Sequence, residues 1–314
     1  MRLTSRAIAV LSLGLTLAVP AIAQTSKPPA VSGAREVSDR NSRSDPNAVT
    51  RVEPAPAVVP TNTDAAPQPL GFESDIYCFG YLGDRDERFP LRVSGAENVA
   101  EQEDYITNDL LYVDGGYDKG VKVGDEYWII TPEQDVIHPV TGRSMGRLFQ
   151  YRGRAVIQSI EPRTATIRVT SACTDIPMHS FLKRFEPIPI PLARKSPPAQ
   201  PGDPASGKAK GRIVFTRDGV VALGADHTMI VDLGAADGLQ AGDFLTVYRY
   251  SAGREYGIRP VGAYWVNLPP PPGVFIPRTY LGEGAVLVVG DRWSVIRLTD
   301  SNRLIEVGDE VELK

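Results

Sequence analysis

Val113-Asp114-Gly115-Gly116, Lys119-Gly120-Val121-Lys122-Val123-Gly124-Asp125 and Tyr127-Trp128-Ile129-Ile130 are answered, at one constant offset, by Val231-Asp232-Leu233-Gly234, Asp237-Gly238-Leu239-Gln240-Ala241-Gly242-Asp243 and Leu245-Thr246-Val247-Tyr248. Asp114, Gly116, Gly120, Gly124 and Asp125 thus recur as Asp232, Gly234, Gly238, Gly242 and Asp243. These positions read as turn chemistry. The glycines permit positive φ where the chain doubles back, and Val121 or Leu239 between them is expected in the core. The aspartate after the last glycine is suited to accept nearby backbone N–H groups before the next strand begins.

Thr164–Thr170 parallels Trp293–Thr299 downstream, and Ile76–Gly83 lies against Arg212–Gly219 upstream. Two copies are too few for a solenoid. They predict tandem domains of one kind, over residues 73–186 and 211–314. Short runs rich in Val, Ile, Tyr, Phe and Thr, bounded by Gly, Asp and Pro, read as strands. The candidates are Arg154–Ile160, Ala165–Thr170, Gly284–Val289 and Ser294–Leu298, with Glu161–Arg163 and Gly290–Arg292 as tight connections. The one helix candidate is Gly95–Tyr105. Five or six short strands per repeat of about 100 residues predict a small closed or nearly closed barrel, so the fold class is all-β.

His138-Pro139-Val140-Thr141-Gly142-Arg143-Ser144-Met145-Gly146 sharpens this. It resembles the D-P-x-T-G-x-x-L-G loop in the C-terminal domain of the flagellar assembly T-ring protein family and related bacterial envelope proteins. In that family the loop follows a G-v-x-x-G-D-x-x-x-V strand and precedes a G-x-l-x-V strand, matched here by Gly153–Ile157. The resemblance covers about 80 residues of the first repeat and, more loosely, the second. It implies two SH3-like barrels without catalytic function. The chain departs from the family by His138 in place of Asp, by its two copies and by lacking the family's other domains, so a flagellar role does not follow. Nor does the SH3-like name imply proline-peptide binding.

The chain has 314 residues, 29 glycines and 27 prolines, a density that disfavours long helices. A formal charge of −4 argues against a nucleic-acid binder, which needs a basic surface. Arg2 and Arg6, the apolar stretch Ala7–Val19, the helix breaker Pro20 and Ala21-Ile22-Ala23 together read as a signal peptide over residues 1–23. An uncleaved anchor is the alternative. Loss of the two arginines would take the charge from −4 to −6. No cysteine follows the apolar run, so a lipoprotein is not expected, and no second stretch is long enough to cross a membrane. The mature protein is expected in the periplasm or secreted.

Residues 24–72 carry eight prolines, no aromatic residue up to Leu70, and mostly small polar residues. That composition predicts a disordered tether, or a leader without function. Residues 187–210 (PIPIPLARKSPPAQPGDP followed by ASGKAK) read as an interdomain linker. Its charges Arg194, Lys195, Lys208 and Lys210 are expected to be solvated, with a binding patch as the alternative.

Candidate chemistry is sparse. Gly142-Arg143-Ser144-Met145-Gly146 fits the G-x-S-x-G nucleophile elbow by letter, but an elbow needs a strand before it and a helix after it. A hairpin tip explains the same residues. His138, His179 and His227 have no partner at metal-ligand spacing. The Asp114–Asp125 loop lacks the EF-hand pattern, so calcium is only weakly signalled. No cofactor and no metal is expected. Cys78 and Cys173 both lie in the first repeat, aligned with Val214 and Asn302. Export favours a disulfide joining the first strand to a late strand, two buried thiols being the alternative.

The second repeat has an insertion. Asp125 to Ala155 spans 30 positions, whereas Asp243 to Ala285 spans 42. The addition includes Tyr264, Trp265, the prolines Pro269–Pro272 and Phe275. A stiff polyproline segment flanked by aromatics suits a protein groove or a sugar ring. Alternatively, the aromatics cover the barrel. The first repeat's own insertion, around Asp84–Asp104, reads as a solvated loop. The functional expectation is a non-enzymatic scaffold whose partner is an envelope protein. The competing reading is a module that binds peptidoglycan or another cell-wall glycan through Tyr264–Phe275.

Overall fold

Strands with period-two burial close into barrels, and here they do so twice. The computed structural model describes residues 68–98, 103–193, 197–217, 220, 222–250, 258–261, 264–267, 272–274 and 276–314. The expected signal peptide, most of the expected tether, Arg194, Lys195, Pro269–Pro271 and Phe275 lie outside the described residues. A five-residue helix α1 (Glu73–Tyr77) and strand β1 (Tyr81–Gly83) precede the first barrel. Then come β2 (Leu91–Ala96), β3 (Asp104–Tyr105), β4 (Leu110–Val113), β5 (Glu126–Ile137), β6 (Ser144–Ile160), β7 (Ala165–Ala172), β8 (Ile176–Pro177) and β9 (Phe181–Arg184). The order β2-β4-β7-β6-β5-β9 closes through antiparallel β2–β9 pairing; β1 lies outside, on β6, and β3 pairs with β8.

The second barrel contains β10 (Lys210–Thr216), β11 (Thr228–Val231), β12 (Phe244–Tyr250), β15 (Arg278–Val289), β16 (Ser294–Ser301) and β17 (Glu310–Leu313). It closes in the order β10-β11-β16-β15-β12-β17. Between β12 and β15, β13 (Ile258–Val261) and β14 (Tyr264–Asn267) form a separate two-stranded sheet. No described helix is long and apolar enough to cross a membrane.

The two barrels repeat to the level of register. Val93 faces Val113 and Ile213 faces Val231, each followed by a bulge at the same step. Val93, Val113, Ile129, Ile157 and Ile167 fill one core; Ile213, Val231, Val247, Val286 and Ile296 fill the other. The counterpart of β10 is therefore β2, not Ile76–Gly83. Ile76 and Tyr77 end α1, and Tyr81–Gly83 lies outside the barrel, so Val214 is not the equivalent of Cys78. The expected helix over Gly95–Tyr105 is also corrected: Gly95 and Ala96 finish β2, and Asp104 and Tyr105 form β3. The acidic residues there gave no apolar stripe to hold a helix on a core.

Barrel 1 has an apolar outer layer as well as a core. Trp128, Ile130, Phe149 and Tyr151 are buried on its outside beneath Tyr77, Tyr81, Phe89, Phe181 and Phe185. Trp128 stacks on Tyr151 with ring centres 4.2 Å apart. The unbroken run Tyr127-Trp128-Ile129-Ile130 is what a strand covered on both faces requires. Part of the expected solvated loop from Asp84 is thus a cover, because Phe89 packs on Phe149 and Phe181.

The barrels share a joint. Phe79, Leu82, Val136 and Leu148 from the first half interleave with Val214, Phe215, Ile230 and Val295 from barrel 2. Leu70 and Ile76 bury against Ala285 and Leu287 of barrel 2, with Ile188, Ile190 and Ala193 alongside. The proline-rich connection is therefore not a free hinge. Its Pro-Ile alternation, extended by proline, puts every second residue on the joint. Leu192 bridges Pro69, and the Ala199 N–H binds Glu283 Oε2 at 3.0 Å. Of the charges expected to be solvated, Lys210 lies 3.4 Å from buried Glu312, and Lys208 donates to the Lys314 carbonyl.

Burial raises the phenol pKa of Tyr81, Tyr151, Tyr248 and Tyr280, and nearby carboxylates add to the effect, Glu87 at Tyr81 and Glu310 at Tyr248. A raised folded-state pKa contributes stability that is complete below the unfolded value near 10 and is lost as pH rises through the folded value. Alkaline titration should therefore leave these four phenols neutral past about pH 10 and ionise them together with unfolding. Ultraviolet difference absorbance read beside circular dichroism checks this; full tyrosinate absorbance in a still-folded protein would contradict it.

Candidate functional site

The repeated turn positions what surrounds it. In barrel 1 Asp114 Oδ1 accepts the Arg92 N–H at 2.7 Å, and Asp232 holds the Arg212 N–H in the same way. Asp125 Oδ2 accepts the Lys122 N–H at 3.1 Å, as Asp243 accepts the Gln240 N–H at 2.9 Å. Gly120, Gly124 and Gly238 have φ of 71°, 87° and 86°, and Gly242 92°. Gly116 and Gly234 differ from expectation, with φ of −139° and −144°. They are glycine because the β6–β7 and β15–β16 turns press on them: a Cβ would overlap the carbonyl oxygens of Glu161 or Asp291. Val121 and Leu239 are each 3% exposed, inside their cores.

The carboxylates of the Asp114–Asp125 loop bind backbone amides, Asp118 taking the Gly116 N–H at 3.0 Å. Among the described residues, no group of three or more His, Cys, Asp or Glu side chains is placed to hold a metal ion.

Ser144 opens β6 at the end of a hairpin tip, with strand and no helix after it. Its Oγ accepts the Gly146 N–H at 3.3 Å. His138 sits in the same tip, and both of its nitrogens are committed. Nδ1 accepts the Val140 and Thr141 N–H groups, each at 3.1 Å, so Nε2 carries the proton and donates to Asp232 Oδ2 at 2.9 Å. His138 thus pins the tip of the barrel 1 hairpin to the repeated turn of barrel 2, leaving no acceptor nitrogen for the Ser144 hydroxyl. His179 occupies a left-handed position, φ 69°, that Gly308 fills in barrel 2; His227 bonds the Gly224 carbonyl at 3.1 Å.

Cys78 and Cys173 form a disulfide, Cα–Cα 5.4 Å. It does not join two barrel strands: Cys78 caps α1, so the bond ties the preceding arm to the end of β7. Asn302 is the counterpart of Cys173, its N–H reaching Leu281 O as the Cys173 N–H reaches Arg152 O.

Tyr264 and Trp265 lie in β14, paired with Val261 and Pro260 of β13. They therefore stand on a two-stranded arm rather than on the flank of a bare polyproline loop. Pro272, Gly273 and Val274 are exposed. The arm lies between β12 and β15 in the chain, and the β12–β15 hairpin corresponds to the β5–β6 hairpin of barrel 1. That earlier hairpin carries Val136, Met145 and Leu148 onto barrel 2. Sequence reasoning found the arm through its extra length and missed the joint residues, although the paired runs Val-Phe (214–215) and Ile-Val (230–231) were visible as apolar on both strand faces.

No protein-family model matches the chain, and no curated protein is similar to it in sequence.

Proposed function

We propose that the protein is an exported, non-enzymatic scaffold of a bacterial envelope, in which the fused barrels form a rigid base and the β13–β14 arm engages a partner protein. The carrying observation is the duplication of the hairpin. In barrel 1 the β5–β6 hairpin docks on a neighbouring barrel through Val136, Leu148 and His138. In barrel 2 the equivalent hairpin is longer by twelve positions and ends in an added sheet.

The partner surface is not a second copy of barrel 1. The docking positions Val214, Phe215, Ile230 and Val295 correspond by register to Ser94, Gly95, Tyr112 and Thr166. That face of barrel 1 is polar and at least partly exposed, so head-to-tail addition of copies has no apolar seat. The disulfide and the absence of a membrane-crossing helix among the described residues fit export. The resemblance of the His138–Gly146 loop to envelope barrels supports the same reading.

Trp265→Ala should leave the circular dichroism spectrum and unfolding midpoint unchanged while reducing crosslinked recovery of the envelope partner at least about tenfold. Loss of folded signal would mean that the aromatics cover the barrel instead. Pull-down on purified cell-wall sacculi separates the glycan reading: Trp265-dependent retention there would replace the protein partner with a glycan.

A further inference from the structure

The Cys78–Cys173 bond sits at a mechanically special point. Cys78 caps α1, and Asp75 on that helix faces Arg297 of barrel 2, with Nε to Oδ2 3.2 Å. Ile76 is 1% exposed and packs on Ala285 and Leu287. The next residue, Tyr77, touches the same cluster and also packs on Trp128 of barrel 1, ring centres 5.2 Å apart. A five-residue helix is not stable by itself. It is held as a wedge between the barrels, and the disulfide is its covalent tie to barrel 1.

Both half-cystines are only partly buried and line a cleft of about 300 Å³ with Glu73, Ser74, Ser171 and Arg154, and Glu73 makes no ion pair with Arg154. The Arg154 guanidinium lies 5.2 Å from the ring centres of Tyr77 and Phe185, and its Nε donates to Ser171 Oγ at 3.3 Å. It has no acidic partner among the described residues. A cation held in an open cleft beside a disulfide favours the thiolate that leaves when the bond is cleaved.

We infer that this disulfide is a thiol–disulfide exchange site for a dithiol reductant, and that its opening unlatches α1 from the barrel joint. The incoming thiolate bonds to Cys78 Sγ and the S–S electron pair leaves on Cys173 Sγ. The reductant's second thiol loses its proton and displaces Cys78 as a thiolate, closing the reductant's own disulfide. The two protons of the dithiol end on Cys78 and Cys173. The protein disulfide is reduced by two electrons and the dithiol oxidised by two. Cys173 Sγ lies 3.4 Å from the Tyr77 carbonyl, which accepts the new S–H. This inference stands independently of what the β13–β14 arm binds.

The test uses the full chain under native conditions with about 10 mM dithiothreitol. Two thiols should become titratable while the barrels stay folded. Amide exchange should speed up at least about tenfold at Leu70, Cys78 and Ala193, whose N–H groups bond Pro191, Ser74 and Gln68. Exchange at Ile157 and Val286, inside the two barrels, should be unchanged. Arg154→Gln should slow reduction about three- to tenfold, and Arg154→Lys should restore most of the rate. A bond that yields only in denaturant, an α1 that stays equally protected after reduction, barrels that unfold when it opens, or an Arg154→Gln rate equal to wild type would each overturn the inference. A Cys78→Ser, Cys173→Ser double variant that exchanges like the oxidised protein would do the same.

Discussion

Gly116→Ala should destabilise the protein by about 3–5 kcal/mol, an effect of the size reserved for severe core disruption. The added methyl has no room. It would overlap the Glu161 carbonyl oxygen and crowd that of Thr164, both backbone atoms of the β6–β7 turn that no side-chain rotation can move aside. The carbonyls of the same turn accept the Tyr117 and Asp118 N–H groups, so retreat would break two hydrogen bonds. Gly234→Ala should match it, because Asp291 and Gly290 oxygens occupy the equivalent space. Gly120→Ala is the control. Its φ is 71°, but nothing lies within 4 Å of the added carbon. Its cost should be about 1–2 kcal/mol, that of a left-handed alanine. Urea unfolding of the three variants checks the order, and a Gly116→Ala cost no larger than that of Gly120→Ala would contradict the close-approach explanation.

Phe215→Ala should have the second largest effect. Phe215 is 7% exposed and lies among Phe79, Leu82 and Leu148 from the first half of the chain. Removing its ring should cost about 3–5 kcal/mol in whole-chain stability, the range for a buried phenylalanine. It should also do something an ordinary core truncation does not. Since the contact joins the barrels, its loss should split unfolding into two steps. Met229→Ala, inside the barrel 2 core, should lower stability without splitting the transition.

Much of this fold was readable before any coordinates. The Asp-Gly-Gly-Gly-Asp spacing announced two copies, since turn residues demand particular backbone geometry and survive as letters. Val121 and Leu239, the strands on either side, and the β6–β7 connection followed. What the residues concealed was tertiary. The upstream alignment failed because Tyr81–Gly83 looks like a strand and is one, but pairs outside the barrel, where only long-range contacts decide its place. Ile188 and Ile190 were hidden among prolines that advertise a linker, although an alternating Pro-Ile segment presents a one-sided apolar edge. His138 looked like a turn residue, and its partner Asp232 lies 94 positions away. The arm was legible as excess length and aromatic content, whereas its two-stranded form was masked by Pro260, which disfavours a strand by rule.

The two barrels and the segment between them form one cooperative body instead of two beads on a proline tether. Scanning calorimetry of the oxidised full chain tests it most directly. Fusion through Phe215, Ile76 and the docked isoleucines predicts a single transition whose calorimetric and van't Hoff enthalpies agree. Two resolved transitions in the unmodified protein, each matching one barrel expressed alone, would contradict it.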